Sequence, residues 1–477
     1  MDLSRLARTA TPAAGRAAGK QPDARAGRRR VPLPRAWNVR LSDVVALLAG
    51  NALLIVGMWV RHGGLQQLGT PGGLLTAAGQ LSGLLGAYLI LVQVLLMSRI
   101  PWLEQLLGMD RLTGAHRWVG FGAVSLLLAH GTLVIVGYAL GDGSTILGEA
   151  VTILTTYQYV LLATIGMALF VAVAVSSIRA ARVRLSYETW YGIHLYVYLA
   201  VALAFLHQLA VGADFINDPV ARLYWIGLYV VTFGALLTFR VGLPVLRSWR
   251  HRFRVANVVE EGPGVVSVYV TGRDLDQLPV RAGQYFLWRF LTRDGWWRAH
   301  PFSISAAPNG EWLRLTVKDL GDWSARLQRL AVGTRVFPEG PYGILTGARR
   351  TQPGVVLIAG GIGITPLRAL LEELPARRGD LTLIYRARSW QDVVFRAELD
   401  VLMERRGATV HYVIGQRAGH EPRDDPLSAR SLQRLVPGIA HSDVFLCGPT
   451  GMMEAVRDSL RRLRVPDAQV HWEQFAY

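Results

Sequence analysis

The chain has 477 residues, of which 51% are hydrophobic and 18% charged. It is too long for one typical domain, and its composition excludes a chain that is disordered throughout. With a single cysteine, Cys447, the chain can form neither an internal disulfide nor an iron-sulfur cluster held by four thiolates. Any electron carrier must therefore be organic or bound by histidine. The net charge of +17 could suggest nucleic acid, but the position of the charge matters more than its sum.

The first 40 residues are predicted to form a disordered basic arm. They hold ten basic residues against Asp2 and Asp23, with almost no large apolar side chain. No small-residue cleavage site of a signal peptide follows them. We expect a solvated tail, with attraction to anionic lipid head groups as the alternative.

Residues 41–250 are predicted to form a six-helix transmembrane bundle. Each of six apolar stretches is long enough to cross a hydrocarbon core of about 30 Å as a helix. The predicted spans cover residues 42–60, 74–97, 118–138, 155–178, 190–211 and 222–245. A bundle of buried soluble helices is the less favoured alternative.

The loops between these spans predict the orientation in the membrane. Arginine is concentrated in the second and fourth loops and after the last span. By contrast, the first loop holds Arg61 alone, the third holds acidic residues and no basic ones, and the fifth holds Asp214 and Asp218 before Arg222. This alternation follows the positive-inside rule, so both termini and everything after residue 250 are expected in the cytoplasm of a multi-pass cell-membrane protein.

Four histidines stand out on the predicted membrane helices, because an ionisable side chain at membrane depth usually has a task. His116, at the inner end, and His130 lie on the third helix, and His194 and His207 lie on the fifth. The separations of 14 and 13 residues correspond to about 21 and about 20 Å of helical rise, which places two cross-helix pairs at matched depths. Each pair could ligate one haem iron, giving two stacked b-type haems.

The helical angles fit this interpretation only in part. At about 100° per residue, a spacing of 14 residues places both histidines of the third span within about 40° of the same helix face. A spacing of 13 residues separates the two histidines of the fifth span by about 140° around the helix, so that span needs a π-bulge, a kink or a rotated ligand. Histidines that merely bond to neighbouring helices are the alternative, and a zinc site is less favoured because the pairs lie too far apart.

After residue 250 the pattern changes to short alternating strands. Residues 255–261, 265–270 and 313–318 predict a small antiparallel barrel within 251–350. Residues 351–477 predict a doubly wound α/β domain with strands at 381–385, 409–414 and 443–447. Its first strand leads into Gly360, Gly361 and Gly363, whose backbone amides could approach a pyrophosphate, although a plain tight turn is the alternative.

Further motifs surround this glycine turn. They are His300 to Ser305, Val317 to Ser324, Gly340 to Gly343, Cys447 to Pro449 and Glu473 to Tyr477. In this order and spacing, residues 251–477 resemble a ferredoxin-NADP reductase module. Together with the four histidines and their spacings, the chain from residue 41 resembles the ferric reductase and NADPH oxidase superfamily.

The resemblance implies roles for individual residues. The FAD would be held by His300, Pro301, Phe302, Ser303 and Ser305, and its pyrophosphate by Lys318, Gly321 and Ser324. The nicotinamide nucleotide would be lined by Thr365, Pro366, Gly448 and Pro449, with Cys447 near the nicotinamide. Phe475 would stack on the flavin until nicotinamide displaces it, with Tyr477 as the rival and a merely packed aromatic as the alternative.

The second strand of the nucleotide domain bears on the choice between NADPH and NADH. It ends in Arg386, Arg388 and Ser389, with no acidic residue before Asp392. An acidic residue there would favour NADH and arginine would favour the 2′-phosphate, so we predict NADPH, with NADH as the alternative.

The predicted activity is electron transfer from cytoplasmic NAD(P)H through FAD and two haems to an acceptor outside the cytoplasm. The resemblance allows ferric iron, a redox partner or oxygen as that acceptor. The oxidases of the superfamily carry a second histidine one turn above the outer ligand of the third span, where this chain has Val134. Arg61 and His62 could supply positive charge there, or act as interfacial anchors. We therefore predict a reductase for ferric iron or a redox partner, over a superoxide generator.

A haem-binding membrane subunit without catalysis is the alternative of another class. The expected partners are the electron acceptor and membrane lipid, and no nucleic acid. The sequence indicates neither an oligomeric state nor a regulator.

Overall fold

The computed structural model describes residues 39–178, 182–216, 218–319, 321–415 and 425–473. Nearly all of the predicted basic arm lies outside these residues, as do Phe475 and Tyr477.

Six helices in the described part of the chain are long and apolar enough to cross a membrane, and they confirm the six predicted spans. These spans are α1 (Leu41–Arg61), α2 (Pro71–Leu96), α4 (Met109–Asp142), α6 (Val160–Ser177), α7 (Tyr187–Val211) and α9 (Pro219–Leu236). Helix α9 continues through a π-helical turn (Leu237–Gly242) into α10 (Leu243–His251). Shorter elements connect them, namely a 3₁₀ helix (Gly64–Gly69), α3 (Pro101–Leu107), α5 (Ile146–Thr156) and α8 (Ala213–Ile216).

Local capping explains where two of the spans begin. The Thr70 hydroxyl accepts a hydrogen bond from the Gly73 amide, and proline occupies the first turn of α2, where no amide donor is needed. Asp218 caps α9 in the same way by accepting from the amides of Val220 and Ala221. Many leucine and valine side chains on the outer helix faces are exposed in the isolated chain, as lipid-facing surfaces are.

Two three-stranded antiparallel sheets follow the helices and share one apolar core. Their strands are β1 (Arg254–Gly262), β2 (Val265–Thr271), β3 (Tyr285–Phe290), β4 (His300–Ser303), β5 (Trp312–Lys318) and β6 (Val336–Tyr342), with helix α11 (Asp322–Leu327) after β5. The sheets have the orders β1-β2-β5 and β4-β3-β6. Within the described residues, the isolated bridges Arg254 to Arg335 and Ile304 to Leu315 link them, and neither sheet closes on itself. The prediction of a barrel is therefore unconfirmed in its detail.

The remaining residues form a five-stranded parallel sheet in the order β11-β10-β7-β8-β9. Its elements are β7 (Gly354–Gly360), α12 (Ile364–Glu373), β8 (Leu381–Ala387), α13 (Arg396–Arg406), β9 (Thr409–Ile414), α14 (Ala429–Leu435), β10 (Ser442–Cys447), α15 (Thr450–Arg462) and β11 (Val470–Trp472). Helices α12 and α13 pack on one face and α14 and α15 on the other, as in a doubly wound domain. The face under α12 also contacts Val265 and Ala282 of the preceding sheets, so the two soluble domains share a core.

Candidate functional site

A cleft of about 930 Å³ opens at the carboxyl end of the parallel sheet, between the two soluble domains. Thirteen of the predicted site residues line it: Pro301, Phe302, Ser303, Lys318, Gly360, Gly361, Gly363, Thr365, Arg386, Arg388, Cys447, Gly448 and Pro449. A cleft at this edge of a doubly wound sheet is where such folds bind nucleotides. Residues from five segments that are distant in sequence are thus brought to one place.

The glycine turn at the end of β7 forms part of the cleft wall. Gly361 has φ of +53°, a left-handed conformation that costs other residues energy. A side chain on Gly363 would collide with the backbone of Cys447 and Gly448, so glycine also allows the two strand ends to approach. Both positions lie directly before α12, whose N-terminus favours an anionic group.

Seven predicted site residues lie outside the cleft lining or outside the described residues. The cleft does not include His300, Ser305, Gly321, Ser324, Pro366 or Ser389, and Phe475 is not described. Ser305 is buried below the cleft, where its hydroxyl lies 2.7 Å from that of Thr316 and 3.1 Å from Nε of Arg314. Burial, followed by the nearby Arg298 guanidinium, lowers the pKa of His300 to about 4, so this ring is neutral at pH 7.

An ion pair crosses the cleft between the two soluble domains. Nζ of Lys318 on β5 lies 3.1 Å from Oδ1 of Asp392, and the Ser389 hydroxyl donates to the other carboxylate oxygen at 2.9 Å. These contacts lower the pKa of the Asp392 carboxyl, the Lys318 contact most. A bound pyrophosphate could compete with Asp392 for Lys318, because both are anions.

The single cysteine closes the inner end of the cleft. Cys447 is the last residue of β10 and is 1% exposed. Burial raises the pKa of its thiol, so the thiol stays protonated and is a poor nucleophile. Such a residue can contact a nicotinamide ring without reacting with it.

A second ion cluster fixes the two soluble domains against each other. Arg314 on β5 and Arg368 on α12 both contact the carboxylate of Glu398 on α13, the first at 3.0 Å. Both guanidinium groups are almost completely buried. If the two domains moved apart, a buried guanidinium charge would lose its carboxylate partner, which is energetically costly. The cluster therefore holds the cleft walls in one arrangement.

The membrane helices bring the four predicted histidines together in two pairs. The ring centroids of His116 on α4 and His194 on α7 are 6.0 Å apart, and those of His130 and His207 are 6.4 Å apart. Helix α7 is α-helical from Tyr187 to Val211, so the fifth span has no π-bulge, and the Nδ1 of His207 contacts the Ala204 carbonyl of its own helix. The 13-residue spacing is thus accommodated by ring orientation in a regular helix.

Hydrogen bonds from helix α2 orient the two rings of α4. Nδ1 of His130 lies 2.9 Å from the Gly79 carbonyl, and Nδ1 of His116 lies 3.2 Å from the Gln93 carbonyl. A histidine that donates Nδ1–H to a carbonyl has Nε2 as an acceptor, which is the form that ligates a metal. In His116 this Nε2 lies 3.4 Å from the side-chain amide nitrogen of Gln93. Gly83 gives the His130 ring room, because a Cβ there would lie 2.6 Å from Nδ1.

The helix α3 joins the membrane helices to both soluble domains. The carboxylate of Glu104 accepts a hydrogen bond from the Gly343 amide at 3.2 Å, and the guanidinium of Arg99 lies over the Tyr342 ring at 4.5 Å. The buried carboxyl of Glu473 also lies at Gly343. We refer to Arg99, Glu104, Gly343 and Glu473 as the three-domain joint.

Both carboxyls of this joint are held in an unusual environment. Burial raises the pKa of Glu104 to about 7, although the Arg99 guanidinium opposes the shift. Burial also raises the pKa of Glu473 to about 8, with further contributions from the carboxylates of Asp110 and Glu104. Both groups therefore change protonation near neutral pH.

The sequence alone gave little indication of these clusters. Arg99 belonged to the loop charges that predicted orientation, and Glu473 was only one letter of the C-terminal motif. The contacts Arg314 to Glu398 and Lys318 to Asp392 join residues 84 and 74 positions apart, so no local pattern reveals them.

Family profiles match three parts of the chain. A ferric reductase like transmembrane component matches residues 82–205, an FAD-binding domain matches 250–346, and an oxidoreductase NAD-binding domain matches 357–458.

Similar curated proteins include a flavohemoprotein of Chromobacterium violaceum, 34% identical over 48% of this chain and 61% of that protein. The ferredoxin reductase component of a Mycobacterium tuberculosis 3-ketosteroid-9-alpha-monooxygenase is 30% identical over 46% of this chain and 63% of its own length. This chain therefore spans about three fifths of each of these relatives.

Similar solved structures include the FAD/NAD-binding domain of a Vibrio cholerae nitric oxide dioxygenase, with TM-score 0.37 and 24% identity over 47% of this chain and 99% of that one. A flavohemoglobin from Malassezia yamatoensis has TM-score 0.42 and 18% identity over 84% of this chain and 100% of that one. The transmembrane component, the FAD-binding domain and the NAD-binding domain occur here in one chain, which belongs to the ferric reductase and NADPH oxidase superfamily of membrane oxidoreductases.

Proposed function

We propose that the chain carries electrons from NADPH through FAD and two bis-histidine b-type haems to an acceptor on the opposite side of the membrane. The observation that carries this proposal is the pairing of histidines across α4 and α7. A metal-binding imidazole nitrogen lies about 2 Å from its metal, and the ring centre lies about 1 Å behind it, so two rings on opposite sides of one iron have centroids about 6 Å apart. Centroid separations of 6.0 and 6.4 Å agree with this value.

The order of the two pairs supports a route that begins in the soluble domains. Helix α4 begins at Met109, directly after the α3 helix that contacts Gly343, so His116 lies toward the soluble domains and His130 lies about 21 Å further along the helix. Helix α7 begins in the same way near the soluble domains, since Glu188 lies 3.8 Å from Arg298. His194 and His207 therefore follow the same order.

The cleft supplies the binding groups at the start of this route. When bound, FAD would accept a hydride from the nicotinamide as an electron pair and release electrons singly to the haems. Lys318 would neutralise the flavin pyrophosphate, and the amides around Gly361 would face the phosphates of the nicotinamide nucleotide. The protonated thiol of Cys447 would border the nicotinamide and exclude water.

Arginine in the cleft supports NADPH as the donor. Arg386 and Arg388 line the cleft at the end of β8. Guanidinium groups bind a 2′-phosphate through charge-assisted hydrogen bonds. Turnover with NADPH should exceed that with NADH, and Arg388→Ala should reduce the preference. Equal or better turnover with NADH would contradict the assignment.

The acceptor proposed here is ferric iron or a redox partner outside the cytoplasm. Arg61 and His62 lie 3.4 and 3.0 Å from the carboxylate of Asp218, which offsets the positive charge of Arg61. Val134 packs against Gly79 on α2, where the oxidases of the superfamily have a histidine. These features favour a reductase over a dedicated superoxide generator.

Proteoliposomes with the soluble domains outward and a ferric chelate plus a ferrous indicator trapped inside would test this proposal. NADPH added outside should produce ferrous iron inside, and His207→Ala should abolish this signal. Oxygen consumption that rivals iron reduction would favour the oxidase alternative. No reduction of any acceptor would favour a non-catalytic haem-binding subunit.

A further inference from the structure

An exposed pair of tryptophans lies in the loop of residues 291–299, between β3 and the predicted flavin motif on β4. Trp296 and Trp297 are 58% and 53% exposed, and Leu291 at the start of the loop is 43% exposed. Their ring centroids are 6.0 Å apart at 90°. We call residues 291–299 the tryptophan loop.

The tryptophan loop is held in place by the rest of the molecule. The Arg298 amide donates to the Gly295 carbonyl at 3.0 Å, which closes a turn around the two tryptophans. Arg326 on α11 donates to the Asp294 carbonyl at 3.3 Å. Exposure of two large aromatic side chains on an anchored turn indicates a surface for contact, since folding alone would bury them.

A contact with a membrane helix fixes the height of this loop. Nε of Arg298 lies 3.8 Å from Oε1 of Glu188, which is the first residue of the membrane span Glu188–Val211. Trp190 follows on the same helix, with the Arg182 guanidinium 4.7 Å above its ring. Tryptophan and arginine at the end of a span are typical of the membrane interface. The tryptophan loop therefore lies level with the lipid head groups.

We propose that the tryptophan loop inserts into the leaflet that faces the soluble domains, with Trp296 and Trp297 at the boundary between head groups and acyl chains. Indole rings prefer this boundary because one part is apolar and the N–H can bond to water or phosphate. Arg293 lies three residues before the pair, next to Asp294, and offers a positive charge to anionic head groups, while Arg298 is paired with Glu188. The occupant of this surface is the phospholipid in which the six spans already lie.

This insertion would connect the membrane to the flavin site. The loop ends at His300, and the next three residues line the cleft. A loop held by lipid would fix the start of β4 in addition to the protein contacts.

Depth-dependent fluorescence quenching of the full chain in phospholipid nanodiscs would test the proposal. An environment-sensitive fluorophore is attached to Trp297→Cys, and Trp296→Cys provides a second position if the first variant does not fold. The native Cys447 is buried, so the unsubstituted protein gives the background labelling. Gln433→Cys is the matched control, because α14 packs on the sheet face opposite the one that contacts the flavin domain.

Lipids brominated at different acyl positions should quench the label at residue 297 and place it about 5–10 Å inside the head-group boundary. The label at residue 433 should not be quenched. Equal, weak quenching at both positions would show that the loop faces water and would overturn the proposal. A blue-shifted label at residue 297 that brominated lipid does not quench would identify a protein partner and would overturn it as well.

Discussion

Replacing Gly83 with alanine tests the assignment of the outer histidine pair. The added Cβ would lie 2.6 Å from Nδ1 of His130 and 3.0 Å from its Cε1, whereas an ordinary contact begins at 3.4 Å. The imidazole is rigid and its Nδ1 is bonded to the Gly79 carbonyl, so the ring must move by about 0.8 Å. Metal-ligand distances tolerate only about 0.2 Å, so this displacement is enough to lose the ligand.

We expect Gly83→Ala to lower the haem content from two per chain toward one, with the His116 and His194 pair retained. Haem extracted and quantified per mole of purified protein measures this content. Gly131→Ala is the matched control, because Gly131 adjoins His130 on the same helix and an added Cβ there would contact nothing within 4 Å. Unchanged haem content in Gly83→Ala, or an equal loss in both variants, would refute the assignment of His130 as a ligand.

Three further predictions concern the soluble domains and their joint. The folded state raises the pKa of Glu104 to about 7 from 4.5, so its contribution to stability is present at low pH and is lost as the pH rises through about 7. The Tm of the wild type should therefore fall between about pH 4.5 and about pH 7 more than that of Glu104→Gln, and parallel curves over this range would contradict this. Glu398→Gln removes the carboxylate partner of the buried Arg314 guanidinium, whereas Arg368 keeps its ion pair with Glu372. The change should cost about 2 kcal/mol in chemical unfolding, below the value for a fully buried pair because Glu398 is 31% exposed. Gly361→Ala strains a left-handed turn and should raise the KM for NADPH in flavin reduction, whereas an unchanged KM would remove the turn from the nucleotide site.

Much of the architecture could be predicted because its signals are local. Apolar length alone defined the six spans, although α4 extends to Met109, nine residues before the predicted start of that span at residue 118. The glycine turn and the strand before it were predicted from consecutive residues, and Gly361 has the positive φ that such a turn requires. The short helix α3 was missed because seven residues between two spans resemble a loop.

The contacts that assemble the site depend on long-range geometry. The pairing of His130 with His207 could be inferred from matched depth, but the ring orientation on a regular α7 could not. The joint brings Glu104 to Gly343, which lies 239 residues away, so no periodicity reveals it. Phe475, predicted to stack on the flavin, lies outside the described residues and stays a prediction.

Anaerobic addition of NADPH to the purified chain, with absorbance recorded over time, tests the central claim most directly. The proposed route predicts loss of the oxidised flavin absorbance, followed by the sharp bands of reduced b-type haem, and it predicts that His116→Ala and His194→Ala block the second step. Flavin that is reduced while the haem remains oxidised, or haem bands that are unchanged in both variants, would contradict the account.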